Sequence, residues 1–325
     1  MTAVPRIDIR GLQDGTDVHG VATQIDAACR TSGFFSVVGH GVDPGLRDRL
    51  DRLAREFFAL PEQEKSLVAM DRGGRAWRGW FPVGAELTSG RPDRKEGLYF
   101  GTELGPEDPR VAAGLPLHGP NLVPARPEGL VTAALEYMDA VVGLGQTLLR
   151  GMALGLGLDD DWFAEHLTAD PVVLFRVFHY PPVPATDTSW SVGEHTDYGL
   201  LTLLAQDGND GLEVRTDAGW VAMPADPDVV VVNLGDMLER MTCGAYRSTA
   251  HRVRNRSGQG RLSFPLFLDP GWDTEVQPLP GYSVARHDGA DRWDGESVHE
   301  WTGTYGDYLQ SRVSRVFPDL FDEVV

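Results

Sequence analysis

From residue 172 onward the chain breaks into short apolar runs divided by turns that carry Gly and Asp: 172–178, 200–204, 211–215, 229–233 and 262–268. Short strands at such regular spacing predict a β-sandwich or a barrel-like double sheet. The first third mixes strands with helices. Residues 7–9 and 34–38 are strand-like, while Leu46, Leu50, Leu53 and Phe57 recur at the spacing of one apolar helix face. Pro44 suits the first turn of that helix. A longer helical pattern runs from about 128 to 156, its buried stripe formed by Leu130, Ala134, Met138, Val141, Val142, Leu148, Leu149 and Met152. A last amphipathic pattern, Tyr305, Tyr308, Leu309, Val313 and Phe317, predicts a C-terminal helix at 300–318 that covers the sheet or a site entrance. The 325 residues contain no Ser/Gly linker, repeat or low-complexity tract, so a single compact unit, 1–325, is expected.

Within the strand-rich half, His195 and Asp197 stand two residues apart at the head of the apolar run 200–204. In an extended segment such residues share a face, so an imidazole and a carboxylate can converge on one ion. His251, ahead of another strand-like run, offers a third ligand. Two imidazoles and one carboxylate on one face of an octahedron leave three positions open, the arrangement that suits a non-haem Fe(II) oxygenase. An isolated H-x-D is a frequent accident, and a lone His in an apolar stretch is more often structural. Here the turn-to-strand setting of both segments raises the pattern above accident. Arg261 follows ten positions after His251, with Ser263 two residues on and on the same strand face. A planar fork donor beside a hydroxyl suits a carboxylate held end-on.

Further segments carry a family likeness: Ile7-Asp8-Ile9, Gly33-Phe34-Phe35 with Gly39-His40-Gly41-Val42, residues 56–61 with Glu64-Lys65, Asp93-Arg94-Lys95-Glu96, and nearly everything from 175 to 270. On these the chain resembles the 2-oxoglutarate- and Fe(II)-dependent dioxygenases of the isopenicillin N synthase-like superfamily. The resemblance implies a mainly β fold with flanking helices, a double-stranded β-helix or distorted jelly roll. It places the family's N-terminal region at 5–120 and its oxygenase core at 169–272. The iron ligands it implies are His195, Asp197 and His251. Its R-x-S pair for the distal carboxylate of 2-oxoglutarate falls on Arg261 and Ser263, with Tyr180 in support. Fe(II) is then the cofactor and 2-oxoglutarate and O2 the cosubstrates. A small-molecule metabolite would be oxidised with release of succinate and CO2. Hydroxylation is the default outcome, and desaturation, ring closure or ethylene formation use the same site. The chain departs from plant members at Phe178, where they carry Asn; the neighbouring His179 is expected to face outward, because adjacent strand residues point opposite ways.

Composition narrows the partners. With 29 basic against 48 acidic residues the net charge is −19, which repels nucleic acid and anionic membrane surfaces. Cys29 and Cys243 are far apart, form no C-x-x-C motif, and are expected to be buried thiols in helical surroundings. The N-terminus has no signal-peptide pattern and no stretch reaches the length of a membrane span, so a cytoplasmic protein is expected. Only Lys65 and Lys95 are lysines among the basic residues, a bias that points to a GC-rich bacterial genome and secondary metabolism. His40 is expected to fix a turn and Asp236 to cap a helix. His19, His118, His166, His287 and His299 have no ligand spacing and remain unassigned.

Two alternatives stand beside the dioxygenase reading. An oxidase related to isopenicillin N synthase would dispense with 2-oxoglutarate; against it, residues 317–325 lack the glutamine near the end that resembles the extra iron ligand there. A non-catalytic metal- or ligand-binding protein of the same fold, zinc-holding or metal-free, would leave the adjacent carboxylate clamp without a purpose. For the substrate, Arg75, Trp77, Arg78, Trp80 and Phe81 combine two guanidinium groups with three large aromatics, a set suited to a binding wall over the barrel mouth. Ordinary packing of those aromatics is the competing explanation.

Overall fold

The structure, a computed structural model, describes residues 4–184, 186–187, 189–283, 295 and 297–317. His287 and residues 318–325, the tail compared above with the oxidase glutamine, lie outside the described residues. Two sheets carry the fold. The larger has eight strands, in the order Arg6–Asp8, Phe34–Val38, Val230–Leu234, Leu201–Gln206, Arg261–Asp269, Val172–Tyr180, Glu96–Gly101 and Gly79–Phe81. Every neighbouring pair in it is antiparallel except the first, which is parallel. The smaller sheet runs Gly219–Ala222, Leu212–Thr216, His251–Val253 and Val192–His195, all antiparallel. Both sheets wall one cavity of about 420 Å³, the architecture of a distorted jelly roll.

Period two decides which side chains reach that cavity. On the strand Val172–Tyr180 the even residues, Leu174, Arg176, Phe178 and Tyr180, line it. On its neighbour Arg261–Asp269 the odd residues do, from Arg261 and Ser263 to Phe267 and Asp269. The opposite parity packs on helices. The helix Leu130–Gly155 lies so close to the sheet that a Cβ on Gly145 would come 2.6 Å from the end of the Leu268 side chain and 3.4 Å from that of Leu203, so any larger residue would have to push Leu268 aside. Each fully buried Leu or Phe on that side contributes roughly 1.5–3 kcal/mol, which fixes the strand parity, because a one-residue slip would exchange core and cavity faces.

The helix Pro44–Phe58 starts as its sequence suggests. Asp43 accepts from the Gly45 N–H, and Pro44 occupies the first turn. The C-terminal helix Tyr305–Val316 begins with a capping box in which Thr304 and Asp307 bond reciprocally. Its residues Leu309, Arg312, Arg315 and Val316 line the cavity.

Two local expectations are corrected. Asp236 is the first residue of the helix Asp236–Met241, and Gly235, not Asp236, is its N-cap. The Asp236 carboxylate is buried and accepts instead from Ser248 Oγ and Tyr308 Oη, tying the C-terminal helix to the cavity wall. Both cysteines are free and buried, but only Cys29 is helical; Cys243 sits in a turn with φ at 51°. His40 does fix a turn, its Nδ1 accepting from the Val42 N–H.

Candidate active site

His195 ends the strand Val192–His195 and His251 begins His251–Val253, and the two are direct cross-strand partners. Their rings stand 4.2 Å apart, centre to centre. Asp197 follows in the turn before Leu201–Gln206, and its Oδ1 lies 3.8 Å from His251 Nε2. One ligand atom from each of the three residues lies within 4.8 Å of the others. The hydrogen bonds decide which atoms are left for an ion. His195 Nδ1 meets the Gly193 carbonyl at 2.9 Å and His251 Nδ1 the Thr249 carbonyl at 3.2 Å. Both imidazoles are thereby held in the tautomer that presents a bare Nε2. Asp197 Oδ2 accepts from Thr202 Oγ1 at 2.5 Å and Asn233 Nδ2 at 2.7 Å, which leaves Oδ1 on the histidine side.

The electrostatics match the ligand forms. Burial opposes ionisation of Asp197, yet the flanking imidazoles and the Thr202 and Asn233 donors together hold its carboxyl below the usual range. Burial pushes both histidines down, and for His251 the neighbouring His195 adds to the effect. A carboxylate beside two neutral imidazoles is the donor set that a divalent iron takes with open positions remaining.

A second built feature stands on the larger sheet. Arg261, 1% exposed, pairs in register with Tyr180, and its guanidinium carbon lies 4.8 Å from the Tyr180 ring centre. Nη2 donates to Gln206 Oε1 and Nε to the Asn209 carbonyl. Nη1 is buried with no hydrogen-bond partner. A buried cationic donor left unmet costs about 1–3 kcal/mol or more, and an anion brought by a ligand removes that cost. Ser263, one step along the same face, lines the cavity as well. These residues fit the distal carboxylate of an oxoacid.

The other expected residues fall elsewhere. None of Arg75, Trp77, Arg78, Trp80 and Phe81 lines the cavity beside the metal ligands. Trp77 and Arg78 face a small pocket that shares Leu174, Arg176, Tyr198 and Val316 with the cavity wall, Arg75 donates to the Gly114 carbonyl, and Trp80 Nε1 donates to Glu96. Phe81 packs edge-on against Tyr99 and Phe317. The competing packing explanation therefore describes this segment. His179 turns away from the cavity, as parity requires, and bonds Glu96 while stacking on Phe58. Phe178 does line the cavity, with Lys95 Nζ 4.7 Å over its ring. Residues missed from the sequence are Thr202, Asn233 and Gln206, which orient the ligands and the clamp, and Glu86, Lys95 and Arg176 in the cavity wall. For Thr202 and Gln206 a signal existed: both are polar at one parity of an otherwise apolar strand.

Comparison with known proteins gives this geometry its family. Residues 4–126 match the model of the non-haem dioxygenase in morphine synthesis N-terminal region, and residues 171–270 that of the 2OG-Fe(II) oxygenase superfamily. The chain is 43% identical to a Dictyostelium discoideum protein named "Probable iron/ascorbate oxidoreductase", over 94% of this chain and 91% of the relative. It is 36% identical to a 2-oxoglutarate-dependent dioxygenase of Monascus ruber, over 85% and 87%. The crystal structure of a full-length Neurospora crassa protein in complex with alpha-KG and thymine superposes with a TM-score of 0.80 at 26% identity, covering 96% of each chain. With both family models matched and identity sustained along nearly the whole chain, the protein belongs to the 2OG-Fe(II) oxygenase superfamily and is a 2-oxoglutarate-dependent Fe(II) dioxygenase that uses O2 and acts on small molecules.

Proposed function

We propose that His195, Asp197 and His251 ligate the Fe(II), that Arg261, Ser263 and Tyr180 hold the distal carboxylate of 2-oxoglutarate, and that the enzyme hydroxylates a small metabolite. The observation that carries this reading is the unmet, buried Nη1 of Arg261 in the same cavity as three converging ligand atoms. Bound iron and oxoacid supply the oxidising power, with succinate and CO2 released. The chain's own residues supply orientation. Gly193 and Thr249 fix the imidazole rings through their carbonyls, Thr202 and Asn233 turn the Asp197 carboxylate, and Gln206 and Asn209 immobilise the Arg261 fork. Apolar wall residues such as Leu174, Phe178 and Phe267 keep water from the reacting region.

A cytoplasmic setting in bacterial secondary metabolism is part of the proposal. Its support is the arginine-dominated basic composition and the absence, among the described residues, of any helix long and apolar enough to cross a membrane. The relatives described above are from an amoeba and fungi and do not add to it. The test is a panel of candidate metabolites scored for substrate-triggered succinate formation, with product mass reporting the added oxygen. Oxidation at full rate with no oxoacid present would favour the oxidase alternative instead.

A further inference from the structure

Beside the cavity lies a cation that neither the metal nor the oxoacid serves. Arg78, 2% exposed, lines the small pocket of about 20 Å³ that adjoins the cavity wall. Its guanidinium lies flat on Gly101, in the space that a side chain there would fill, and Nη2 donates to the Leu117 carbonyl at 2.9 Å. Its Nε is buried and has no hydrogen-bond partner. Among the described residues no carboxylate forms an ion pair with it. Glu103, exposed and bonded to Asn121, acts on it only at a distance. Burial lowers its pKa to about 10, so the group is still a cation at neutral pH. A charge taken out of water is tolerated when an opposite charge and hydrogen bonds compensate it, and here the opposite charge is missing.

The neighbouring ions do not supply it. Arg176 lines the same pocket, and its Nε is likewise buried and unmet. Its Nη1 stands 3.4 Å from Glu86, but Glu86 is paired with Lys95 at 2.7 Å and accepts from Tyr99 Oη. Asp93 is spent on Lys95 and Thr88. Three cations, Arg78, Arg176 and Lys95, thus stand against two carboxylates, Glu86 and Asp93. The group is left with one positive charge, on the side where the two arginines share a pocket.

Size and lining select the occupant. A water-sized body needs at least about 10–15 Å³, so the pocket takes one small ion and excludes 2-oxoglutarate or a metabolite. Phe100, Leu174, Val313 and Val316 give it apolar walls. Water there would accept from the arginines but find no acceptor in those walls for its own hydrogens. A halide accepts from several donors, donates nothing, and brings the missing charge. We propose that this pocket binds a small inorganic monoanion of the halide class, held by Nε of Arg78 and of Arg176. Val316 and Phe317, at the end of the C-terminal helix, line the same pocket. The ion therefore also fastens the end of the helix that covers the cavity. The site does not depend on the oxygenase reading.

The probe is bromide, exchanged at constant ionic strength for gluconate, which is too large for the pocket. The whole chain is loaded with Fe(II) and 2-oxoglutarate and kept without O2. Its melting temperature should rise along a saturable curve, by about 2–4 °C, and chloride should act likewise. Crystals grown in bromide should show an anomalous peak between Arg78 and Arg176, an observation that needs no variant. Arg78→Met is nearly as long and uncharged. Whatever its own melting temperature, it should lose both the peak and the bromide dependence and keep its 2-oxoglutarate affinity. Bromide acting at the iron or at Arg261 would instead survive that substitution. A melting temperature indifferent to bromide, a pocket without the peak, or a bromide response retained in Arg78→Met would each overturn the site.

Discussion

The two walls of the cavity achieve precision by different means. The small sheet contributes His195 and His251 from strands of four and three residues, joined by two cross-strand pairings with a register shift between them. Its ligands are aimed one by one, through backbone carbonyls behind each ring and two donors behind Asp197. The large sheet contributes nine-residue strands in long register, and spaces Tyr180, Phe178 and Arg176 by parity alone. Irregular backbone lets three residues converge on a point; regular backbone lays groups out along a line. A metal needs the first and an extended pair of ligands the second.

The contrast is broken most severely at the point of convergence. Asp197→Ala removes one of three ligand side chains and also frees the Thr202 and Asn233 donors, so iron retention and turnover should both be lost while the chain stays folded. Metal content after desalting, with a melting curve, decides it. Full iron occupancy with full turnover would sink the ligand assignment.

Next in size is the clamp. Arg261→Ala should leave iron bound and raise the 2-oxoglutarate concentration for half-maximal rate by roughly 10- to 100-fold, since a charge-assisted hydrogen bond is worth about 1.5–3 kcal/mol. An unchanged requirement would move the oxoacid elsewhere in the cavity.

The supporting donors should matter less than the ligands they orient. Asn233→Ala leaves Thr202 still bonded to Asp197 Oδ2, so Fe(II) affinity should fall about tenfold, the lower end of what such partners contribute. Removing Thr202 as well, as Thr202→Val with Asn233→Ala, should cost more than the product of the single effects, because Oδ2 is then buried without any donor. Competition with a chelator of known affinity measures both. Simple multiplication of the two losses would mean that Asp197 is held by its backbone, not by these donors.

Much of the large sheet was legible because its rule is local. The short apolar runs 172–178 and 262–268 anticipate the strands Val172–Tyr180 and Arg261–Asp269, and parity puts Arg261 and Ser263 on one face of their strand and turns His179 away from Phe178 and Tyr180 on the other. The convergence of His195, Asp197 and His251 was legible through residue type and the H-x-D spacing. The Glu86, Lys95 and Arg176 group was not, because ion pairing between two loop residues and one strand residue leaves no spacing in the sequence, and an arginine inside a strand looks like a solvated one. Residues 75–81 misled for the opposite reason. Three aromatics near two arginines resemble a binding wall, but aromatic side chains bury large area in any core, and here Trp80 and Phe81 spend it on Glu96, Tyr99 and Phe317.

The smallest expected effect tests the far end of the line. Asp269 is buried at the last cavity-facing position of its strand, where it accepts from the Leu200 N–H and Tyr305 Oη. A Cβ on Gly199 would collide with it, so the turn after Asp197 is built around this carboxyl. Burial pushes its pKa up to about 7, against the pull of those hydrogen bonds. For a carboxyl raised in the folded state, the native form holds its proton where the unfolded chain has lost it. Its contribution is therefore fully present below the unfolded value near 4 and declines as pH rises to about 7. Asp269→Asn keeps the shape and removes the titration. Measured in parallel from pH 4.5 to 7.5, its melting temperature should gain on that of the unsubstituted protein as pH climbs, and the gap should stop widening above pH 7. A constant difference across that range would mean that Asp269 is ionised throughout, with Tyr305 and Leu200 sufficient to stabilise its charge.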